Sequence, residues 1–392
     1  MKKNNALLAL SAAAACLPAL QAKAQQIAQD FEIGIRHYNY EEAALDEDKV
    51  LNQQLDRYDI EVNQFRLVAP LSDTMQLNVD YQHEKMSGAS PWYTFQLPGE
   101  EPKQVMSGAS IEDTRKDYAA TLKVALDRDV LSLGAARSTE DDYDSTSFSV
   151  GYAKESEDRL TTWSVSADVS NDDIYPVDTE TFRTRPDTEQ SKHSNSYLVS
   201  YARIMNKHWL MKIAAGYSRK SGYLSDPYKQ VFVTGSLIGD SRPQKRISRT
   251  LAMQNRLFFD EYDAALHLDY RFYDDDWGIQ SNTVDLAWYQ NLDAGFQIVP
   301  SIRLYEQSEA FFYESFHTEQ RADGNYSTDY RLSEYGAVTY GLKITKAFEN
   351  WALMLSGEKY YSGGSTFLAD AESENPALLD FTLISVGVDF TF

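Results

Sequence analysis

Apolar and polar residues alternate along most of this chain, and this period of two constrains the fold more than any other feature. The segments 118–126, 264–272 and 384–392 each carry an apolar residue at every second position. Successive side chains of a β-strand point to opposite faces, so each segment predicts a strand with one apolar face. No segment shows an apolar stripe at the helical period of 3.6 residues. The pattern predicts an all-β protein.

The alternating segments number about sixteen, and each has about ten residues, the length a tilted strand needs to cross a bilayer. Short turns alternate with longer polar connections between them. This arrangement predicts a closed antiparallel transmembrane β-barrel with short periplasmic turns and long extracellular loops, because an unpaired strand edge is costly in lipid. A secreted soluble protein of two β-sandwiches is the alternative, which the long strands disfavour. The predicted strands are 28–40, 57–69, 75–86, 116–127, 130–138, 145–154, 160–170, 195–205, 209–220, 249–259, 263–273, 281–291, 296–307, 333–346, 351–361 and 381–392.

The first 24 residues have the pattern of a secretory signal peptide. A basic start precedes an apolar stretch over 6–20, and Ala22-Lys23-Ala24 is a small-x-small cleavage signal. We expect cleavage after Ala24, leaving one barrel domain, 25–392, in the outer membrane of a Gram-negative cell. Lipid modification of Cys16 is the alternative. No later run approaches the 18 or so apolar residues of a membrane helix.

The overall composition excludes several functional classes. The formal charge is −22 and would be about −25 after loss of three leader lysines, whereas nucleic-acid binding needs an excess of Lys and Arg. The single cysteine lies in the leader, so we predict neither a disulfide framework nor a multi-cysteine metal centre. No cofactor is predicted.

Aromatic residues concentrate at the ends of the predicted strands. The chain has 26 Tyr, 18 Phe and 6 Trp, and amphipathic rings are favoured at the boundary between lipid and water. The chain ends with Phe392, which closes an alternating strand in the manner of a recognition signal for the bacterial barrel-assembly machinery. We therefore expect outer-membrane lipid, lipopolysaccharide and that machinery as partners.

Charged residues of both signs occupy positions predicted to face the barrel lumen. Such a set either forms cross-strand ion pairs that stabilise the wall or sets the ion selectivity of a pore, and sequence alone leaves both open. The predicted lumen charges are Arg36, Asp80, Lys123, Asp168, Lys212, Asp269, Arg271, Asp285, Arg303, Lys343, Glu358 and Asp389.

His267 and Asp269 lie two residues apart on the predicted lumen face. A carboxylate beside a histidine can orient an imidazole as a general base, so a barrel hydrolase is one alternative. No serine nucleophile stands at a recognisable spacing, and the more ordinary interpretation is a histidine in a polar lumen. We predict no enzymatic activity.

Acidic runs fall in the predicted outer loops, where close carboxylates could bind Ca²⁺ or bridge to lipopolysaccharide phosphates. None has the spacing of an EF-hand, and a solvated acidic surface is the alternative. The residues of the two weak candidate sites are Asp141, Asp142 and Asp144, and Asp274, Asp275 and Asp276.

One predicted loop, 221–248, is basic. With its flanking strand ends it carries seven Lys and Arg against two Asp, a net charge of about +5. It could fold into the lumen as an anion-selecting constriction, bind lipid phosphate outside, or pair with acidic neighbours. Its central basic residues are Arg242, Lys245, Arg246 and Arg249.

Several short strings together carry a family resemblance. The mature chain resembles the bacterial outer-membrane barrels catalogued as domain of unknown function family 3570. That resemblance implies an outer-membrane barrel with no established activity. The charges of both signs in the lumen and the long loops favour a porin-like channel or scaffold. Relatives are associated with periplasmic redox or flavin-attachment proteins, which implies, as an alternative, a sheath or anchor for such a partner. The strings are Ser87-Gly88-Ala89-Ser90-Pro91-Trp92, Ser107-Gly108-Ala109-Ser110-Ile111 with Asp113-Thr114-Arg115, Gly222-Tyr223-Leu224-Ser225-Asp226-Pro227-Tyr228-Lys229, Arg242-Pro243, Leu268-Asp269-Tyr270-Arg271-Phe272-Tyr273 followed by Asp275-Asp276-Trp277-Gly278, and Gln307-Ser308.

Overall fold

A computed structural model describes residues 27–107 and 111–392. The predicted signal peptide 1–24 and Cys16 lie outside the described residues, so cleavage remains a prediction. Twenty strands are present in the described part of the chain. They are β1 (Glu32–Glu42), β2 (Asp59–Ser72), β3 (Met75–Gly88), β4 (Pro91–Phe95), β5 (Lys103–Met106), β6 (Ile111–Leu126), β7 (Asp129–Thr139), β8 (Tyr143–Glu155), β9 (Thr161–Ile174), β10 (Gln190–Asn206), β11 (Trp209–Gly222), β12 (Gln230–Val233), β13 (Ser236–Gly239), β14 (Lys245–Phe259), β15 (Ala264–Asp275), β16 (Gln280–Leu292), β17 (Phe296–Gln307), β18 (Tyr335–Ala347), β19 (Trp351–Gly363) and β20 (Phe381–Thr391).

Sixteen of these strands form one closed antiparallel barrel. Each strand pairs with its neighbours in chain order, and the first and last strands close the ring from Glu32↔Thr391 to Glu42↔Phe381. The predicted count and fold class are therefore confirmed. The remaining strands form two hairpins inside loops, β4–β5 and β12–β13, which the alternation did not predict. None of the described helices is long and apolar enough to span a membrane.

Several strands extend further toward the loop end than predicted. The strand predicted over 195–205 covers Gln190–Asn206, and its extra residues pair on both sides, as in Ser191↔Asp173 and Lys192↔Gly222. The outward face becomes polar there, with His193 and Asn195. The backbone ladder continues where the apolar alternation stops, because hydrogen bonding does not require apolar side chains.

Pro300 lies within β17, where a proline commonly requires a bulge or a change of register. The structure shows neither. The register with β16 is the same on both sides, from Ala287↔Ser301 to Gln290↔Ile298, but the two intervening pairs are missing. On its other side Pro300 pairs with Leu342. A proline has no N–H to donate, so the ladder opens locally without a shift.

The outer face of the barrel exposes large apolar side chains. Phe148 is 57% exposed, Trp163 56% and Leu355 53%, and they belong to a set that recurs on every side of the ring. A continuous apolar belt of this kind is exceptional on a protein surrounded by water. Inward-facing positions carry the polar and small residues.

The buried apolar clusters lie toward the loop end of the barrel. One contains Val231 and Val233 with Tyr326, and another contains Leu45 and Met106. Most of their members come from loops that belong to different barrel hairpins. Packing within this protein is therefore concentrated where the loops meet, and the wall depends mainly on its backbone ladder.

Candidate functional site

Five long loops pack together at one end of the barrel. We call them the loop plug, which comprises residues 43–58, 89–107, 223–244, 308–334 and 364–380. In the ring, six strands separate the second of these loops from the third on one side and ten on the other. These two loops nevertheless meet, since Lys229 Nζ donates to the carbonyl oxygen of Pro91 at 3.1 Å. The loops therefore reach across the mouth of the barrel.

Other contacts join the remaining loops of the plug. Thr94 donates to the carbonyl oxygen of Ser315. Asn375 Nδ2 donates to Tyr313 at 2.9 Å and to the carbonyl oxygen of Thr328 at 3.0 Å. Each of these bonds connects loops that are far apart in the sequence, so the plug folds as one unit.

Six charged residues form the centre of the loop plug, and we call them the ionic cluster. Arg242 bridges Asp240, at 2.7 Å, and Asp329, at 2.8 Å. Arg331 also contacts Asp329, and its Nη2 lies 3.0 Å from Asp226. Three cations face three carboxylates, so the formal charges cancel. The members are Asp226, Lys229, Asp240, Arg242, Asp329 and Arg331.

Burial and neighbouring charge change the proton affinities within the ionic cluster. Burial alone would raise the pKa of Asp329, but Arg331, Lys229 and Arg242 hold it well below its usual range. Burial lowers the pKa of Lys229, partly offset by Asp329. Burial also raises the pKa of Asp240. Asp329 is thus the carboxylate on which the charge balance of the cluster depends.

The ionic cluster borders a small pocket beneath the loops, lined by Tyr58, Ser90, Pro91, Asp226, Lys229, Tyr330 and Arg331. Next to it the plug is fixed to the wall. Arg57 Nε donates to Glu42 at 2.6 Å, Arg57 Nη1 donates to the carbonyl oxygen of Ala377 at 3.1 Å, and the guanidinium lies 5.4 Å from the ring centre of Tyr330. One buried side chain thereby joins the first, fourth and fifth loops of the plug to β1.

A band of aromatic rings lines the lumen wall under the plug. Tyr305 and Tyr335 have ring centres 5.6 Å apart, and Phe381 lies 4.6 Å from Tyr360 and 4.7 Å from Tyr40. The five rings come from five consecutive barrel strands, β17, β18, β19, β20 and β1. This band is the surface on which the loops rest.

Below the plug several charged residues of the lumen are exposed to solvent. We call this region the lower lumen wall. Arg303 contacts Asp285 at 2.5 Å, with side-chain exposures of 60% and 36%. Arg66 lies 3.9 Å from Asp80, with exposures of 63% and 54%. Arg36 contacts Asp389 at 2.6 Å. Exposed ion pairs at these positions indicate a water-filled space.

The strand registers place all twelve predicted lumen charges on the inner face. Six of them form no ion pair within 4 Å in the described part of the chain, and four of the six are cations. The lower lumen therefore carries unneutralised charge of both signs with an excess of cations, and their role in selectivity remains a prediction. The cations are Lys123, Lys212, Arg271 and Lys343, and the acids are Asp168 and Glu358.

His267 and Asp269 share the inner face of β15 but do not form a dyad. Asp269 is bound by both terminal nitrogens of Arg256, which lies across the ladder on β14. The ring of His267 instead lies 4.1 Å from the ring of Tyr289. The sequence interpretation overlooked Arg256, which competes for the carboxylate with a permanent charge.

The basic segment does not form a separate loop. Lys245, Arg246 and Arg249 lie on β14, which begins four residues before the predicted strand. Arg242 lies in the loop plug with 11% of its side chain exposed, between Asp240 and Asp329. Pairing with acidic neighbours is the interpretation the structure supports. Arg246 contacts Asp275 at 2.5 Å, and Arg249 contacts Asp274 at 3.5 Å.

We expected each acidic run to form a cluster of carboxylates on the loop surface, and the structure shows a different arrangement for both. Asp275 is buried and accepts hydrogen bonds from the backbone of Trp277 and Ile279, while Asp276 accepts one from Ile247. These bonds shape the turn between β15 and β16.

The other run is divided between two faces of the barrel. Asp144 pairs with Arg137 at 3.3 Å, and Asp141 is exposed. Asp142 is buried beside Asp113 and Glu140, and the three offer ligand atoms within 4.8 Å of one another, a spacing that could hold a metal ion.

Sequence reasoning missed the residues that assemble the loop end. Asp113, Arg115 and Asp117 alternate on one strand face, and that spacing could have identified an inward-facing charged patch. Lys229 and Asp329 gave no comparable signal, because they meet only when loops a hundred residues apart fold together.

The fold resembles outer-membrane barrels of known structure. The siderophore receptor PirA from Pseudomonas aeruginosa is 11% identical, and the match covers 92% of this chain and 61% of that one, with a TM-score of 0.45. CdiB from Acinetobacter baumannii is 7% identical, with 93% and 60% covered and a TM-score of 0.50. A BenF-like porin from Pseudomonas fluorescens is 7% identical, with 93% and 98% covered and a TM-score of 0.45.

At these identities the likeness concerns the fold alone. The chain spans about three-fifths of the length of the first two proteins. No curated protein matches the sequence. One family profile does, over residues 7–365, and its description is "Protein of unknown function (DUF3570)". The match covers most of the chain and agrees with the closed sixteen-stranded barrel, so the chain belongs to the DUF3570 family.

Proposed function

We propose that this protein is a porin-like channel of the bacterial outer membrane whose outer mouth is narrowed by the loop plug. The observation that carries the proposal is the contrast along the lumen axis. Exposed charges line the lower lumen wall, and packed loops cross the other end. Small ions would cross through the gaps between loops, while larger solutes would require the plug to move.

The apolar belt supports a location in a membrane. A closed barrel satisfies every backbone group that lipid cannot hydrogen-bond, and the exposed rings of Trp163 and Phe148 would contact lipid. With the short turns in the periplasm, the loop plug would face the cell exterior, next to lipopolysaccharide. We further propose export by the leader 1–24 and insertion by the barrel-assembly machinery through the terminal Phe392.

Planar-bilayer recording tests the channel. The informative variant replaces residues 226–240 by a short Gly-Ser linker, which removes the hairpin β12–β13 and half of the ionic cluster. The matched control shortens the exposed hairpin tip 97–101. We expect a small conductance from the native protein, a several-fold larger one from the first variant, and no change from the control. Folding of each protein is verified by heat-modifiable gel mobility.

The channel proposal fails if folded native protein and the folded 226–240 variant are both silent in the bilayer. That outcome would favour the second candidate, a scaffold or anchor for a periplasmic redox or flavin-linked protein. The supporting observation is that charged side chains such as Arg66 and Arg303 are exposed on the lower lumen wall, whereas the loop end is packed. Co-purification from cross-linked membranes tests it. Recovery of assembly factors alone would count against a scaffold.

A further inference from the structure

Three buried carboxylates converge at the loop end of the wall, away from the ionic cluster. We call Asp113, Glu140 and Asp142 the rim triad. Asp113 lies on β6, and the other two lie in the short connection between β7 and β8. Each offers one oxygen atom, and these atoms all lie within 4.8 Å of one another. Asp113 and Asp142 are 4% and 2% exposed.

The spacing and type of these atoms match a hard divalent cation. Carboxylate oxygens prefer Ca²⁺ or Mg²⁺ to softer metals. Ca²⁺ binds oxygen at about 2.3–2.6 Å, so two ligands on opposite sides of the ion are about 5 Å apart. The spread of the rim triad is within that limit. Mg²⁺ has shorter bonds, of about 2.0–2.1 Å, and would require a tighter group.

Glu84 supplies an independent observation. It lies on the inner face of β3, directly opposite Arg115 in the ladder and two pairs away from Met86↔Asp113. The residue is 4% exposed. Its Oε1 accepts a hydrogen bond from Gln82, while its Oε2 is buried and has no hydrogen-bond partner among the residues that the structure describes. A buried carboxylate oxygen without a hydrogen-bond partner costs free energy unless a proton or a cation compensates its charge.

Negative charge exceeds positive charge around the rim triad. With Glu84 and Asp117 the group holds five carboxylates. Two guanidinium groups lie near them: Arg115 is 3.0 Å from Asp117 and 3.7 Å from Glu140, and Arg185 lies over the ring of Tyr228, which binds Asp142. Either protons or a cation must offset this excess charge.

We propose that the rim triad binds a divalent cation of the Ca²⁺ type, with the buried carboxylate of Glu84 beside the site. The proposal is separate from channel activity. The hydroxyl group of Tyr228, which belongs to the loop plug, donates to Asp142. A bound cation would therefore hold the barrel rim and the third loop of the plug together through one shared carboxylate.

Terbium luminescence tests the site, because Tb³⁺ replaces Ca²⁺ at oxygen sites and Tyr228 is close enough to sensitise it. The purified full-length protein is stripped with EDTA in detergent and titrated with Tb³⁺, then with Ca²⁺ and Mg²⁺ as competitors. We expect saturable luminescence that Ca²⁺ displaces better than Mg²⁺. Asp142→Asn and Glu84→Gln should each weaken binding by about tenfold or more. Asp144→Asn, at the start of β8 and paired outside with Arg137, should bind as the native protein does.

Thermal stability supplies a second readout in case a triad variant fails to fold. The native protein should unfold at a higher temperature in Ca²⁺ than in EDTA, and Glu84→Gln should reduce that difference. Absence of both saturable luminescence and a Ca²⁺-dependent shift in the native protein would overturn the proposal. Equal loss of Tb³⁺ binding in Asp144→Asn and Asp142→Asn would also overturn it.

Discussion

The loop plug and the lower lumen wall are both held by Asp–Arg contacts, yet these contacts have different consequences. In the plug, Asp329 is fully buried and contacts Lys229, Arg242 and Arg331. On the wall, Asp285 and Arg303 are respectively 36% and 60% exposed and contact each other. Exposed pairs contribute about 0–1 kcal/mol, whereas removing one partner of a buried pair costs about 3–5 kcal/mol.

The two regions respond differently because they differ in how much backbone hydrogen bonding holds them in place. The wall is fixed by continuous backbone ladders from β1 to β20, so an ion pair adds little to its geometry. The loops have only short ladders and isolated bridges, such as Ser241↔Tyr326. Their arrangement depends on buried apolar clusters and charges that fit in one way. The plug is therefore the region that single substitutions can open.

The largest expected effect comes from Asp329→Ala. It leaves the buried Lys229 and the half-buried Arg242 and Arg331 facing two carboxylates, and we expect the plug to lose about 3–5 kcal/mol of local stability. Trypsin reports this loss, because cleavage after Lys229 and Arg331 requires the loops to open. The barrel should remain folded by heat-modifiable mobility.

Asp285→Ala is the matched control for that experiment. It removes an aspartate from an arginine on the lower lumen wall, and we expect a change below about 1 kcal/mol with native trypsin resistance. Equal protease sensitivity of the two variants would mean that burial does not distinguish the regions.

Arg57→Ala is expected to have the next largest effect, because Arg57 fixes the plug to the wall. Loss of Arg57 leaves the carboxylate of Glu42 buried without its cation. We expect a cost of about 3 kcal/mol, the lower end of the range for breaking a buried ion pair, because Glu42 keeps a hydrogen bond from Tyr40. Hydrogen exchange should increase in 43–58 and 364–380 first. Arg36→Ala, which breaks the more exposed pair with Asp389, is the control and should leave those loops protected.

Acid should loosen the plug through Asp329. Its pKa is lower in the folded protein than in the unfolded chain, so its stabilising contribution is present above about pH 4 and is lost as the pH falls further. Asp240 has a raised pKa and opposes this trend more weakly. Hydrogen exchange of 224–241 should increase below about pH 4 in the native protein and show little further change in Asp329→Asn. An increase confined to the range above pH 4 would assign the effect to another group.

The sequence was sufficient for the barrel because the wall obeys a local rule. A strand with one face toward lipid and the other toward water alternates apolar and polar residues, whichever strand it pairs with. All sixteen predicted strands overlap barrel strands. The boundaries were less accurate at Gln190 and Lys245, because the strands continue beyond the apolar zone, where nothing in the alternation marks them.

The candidate site was mostly beyond sequence reasoning. Arg242 was recognised as basic, but its partner Asp329 is 87 residues away, and only the folded loops bring them together. His267 and Asp269 were placed on the correct face, while the residue that decides their chemistry, Arg256, belongs to the neighbouring strand. Contacts of this kind depend on register and loop packing, which a period-two pattern does not encode.

The smallest expected effect concerns ion selectivity of the lower lumen wall. Lys123 and Asp168 form no ion pair among the described residues, so each contributes net charge to the lumen. Lys123→Gln should shift the reversal potential toward cation preference and Asp168→Asn toward anion preference, each slightly, because charges beyond about 8–10 Å are screened. The double variant Asp285→Asn with Arg303→Gln removes one charge of each sign and should leave the potential unchanged. If Lys123→Gln and the double variant shift the potential equally, unpaired charge is not what sets selectivity.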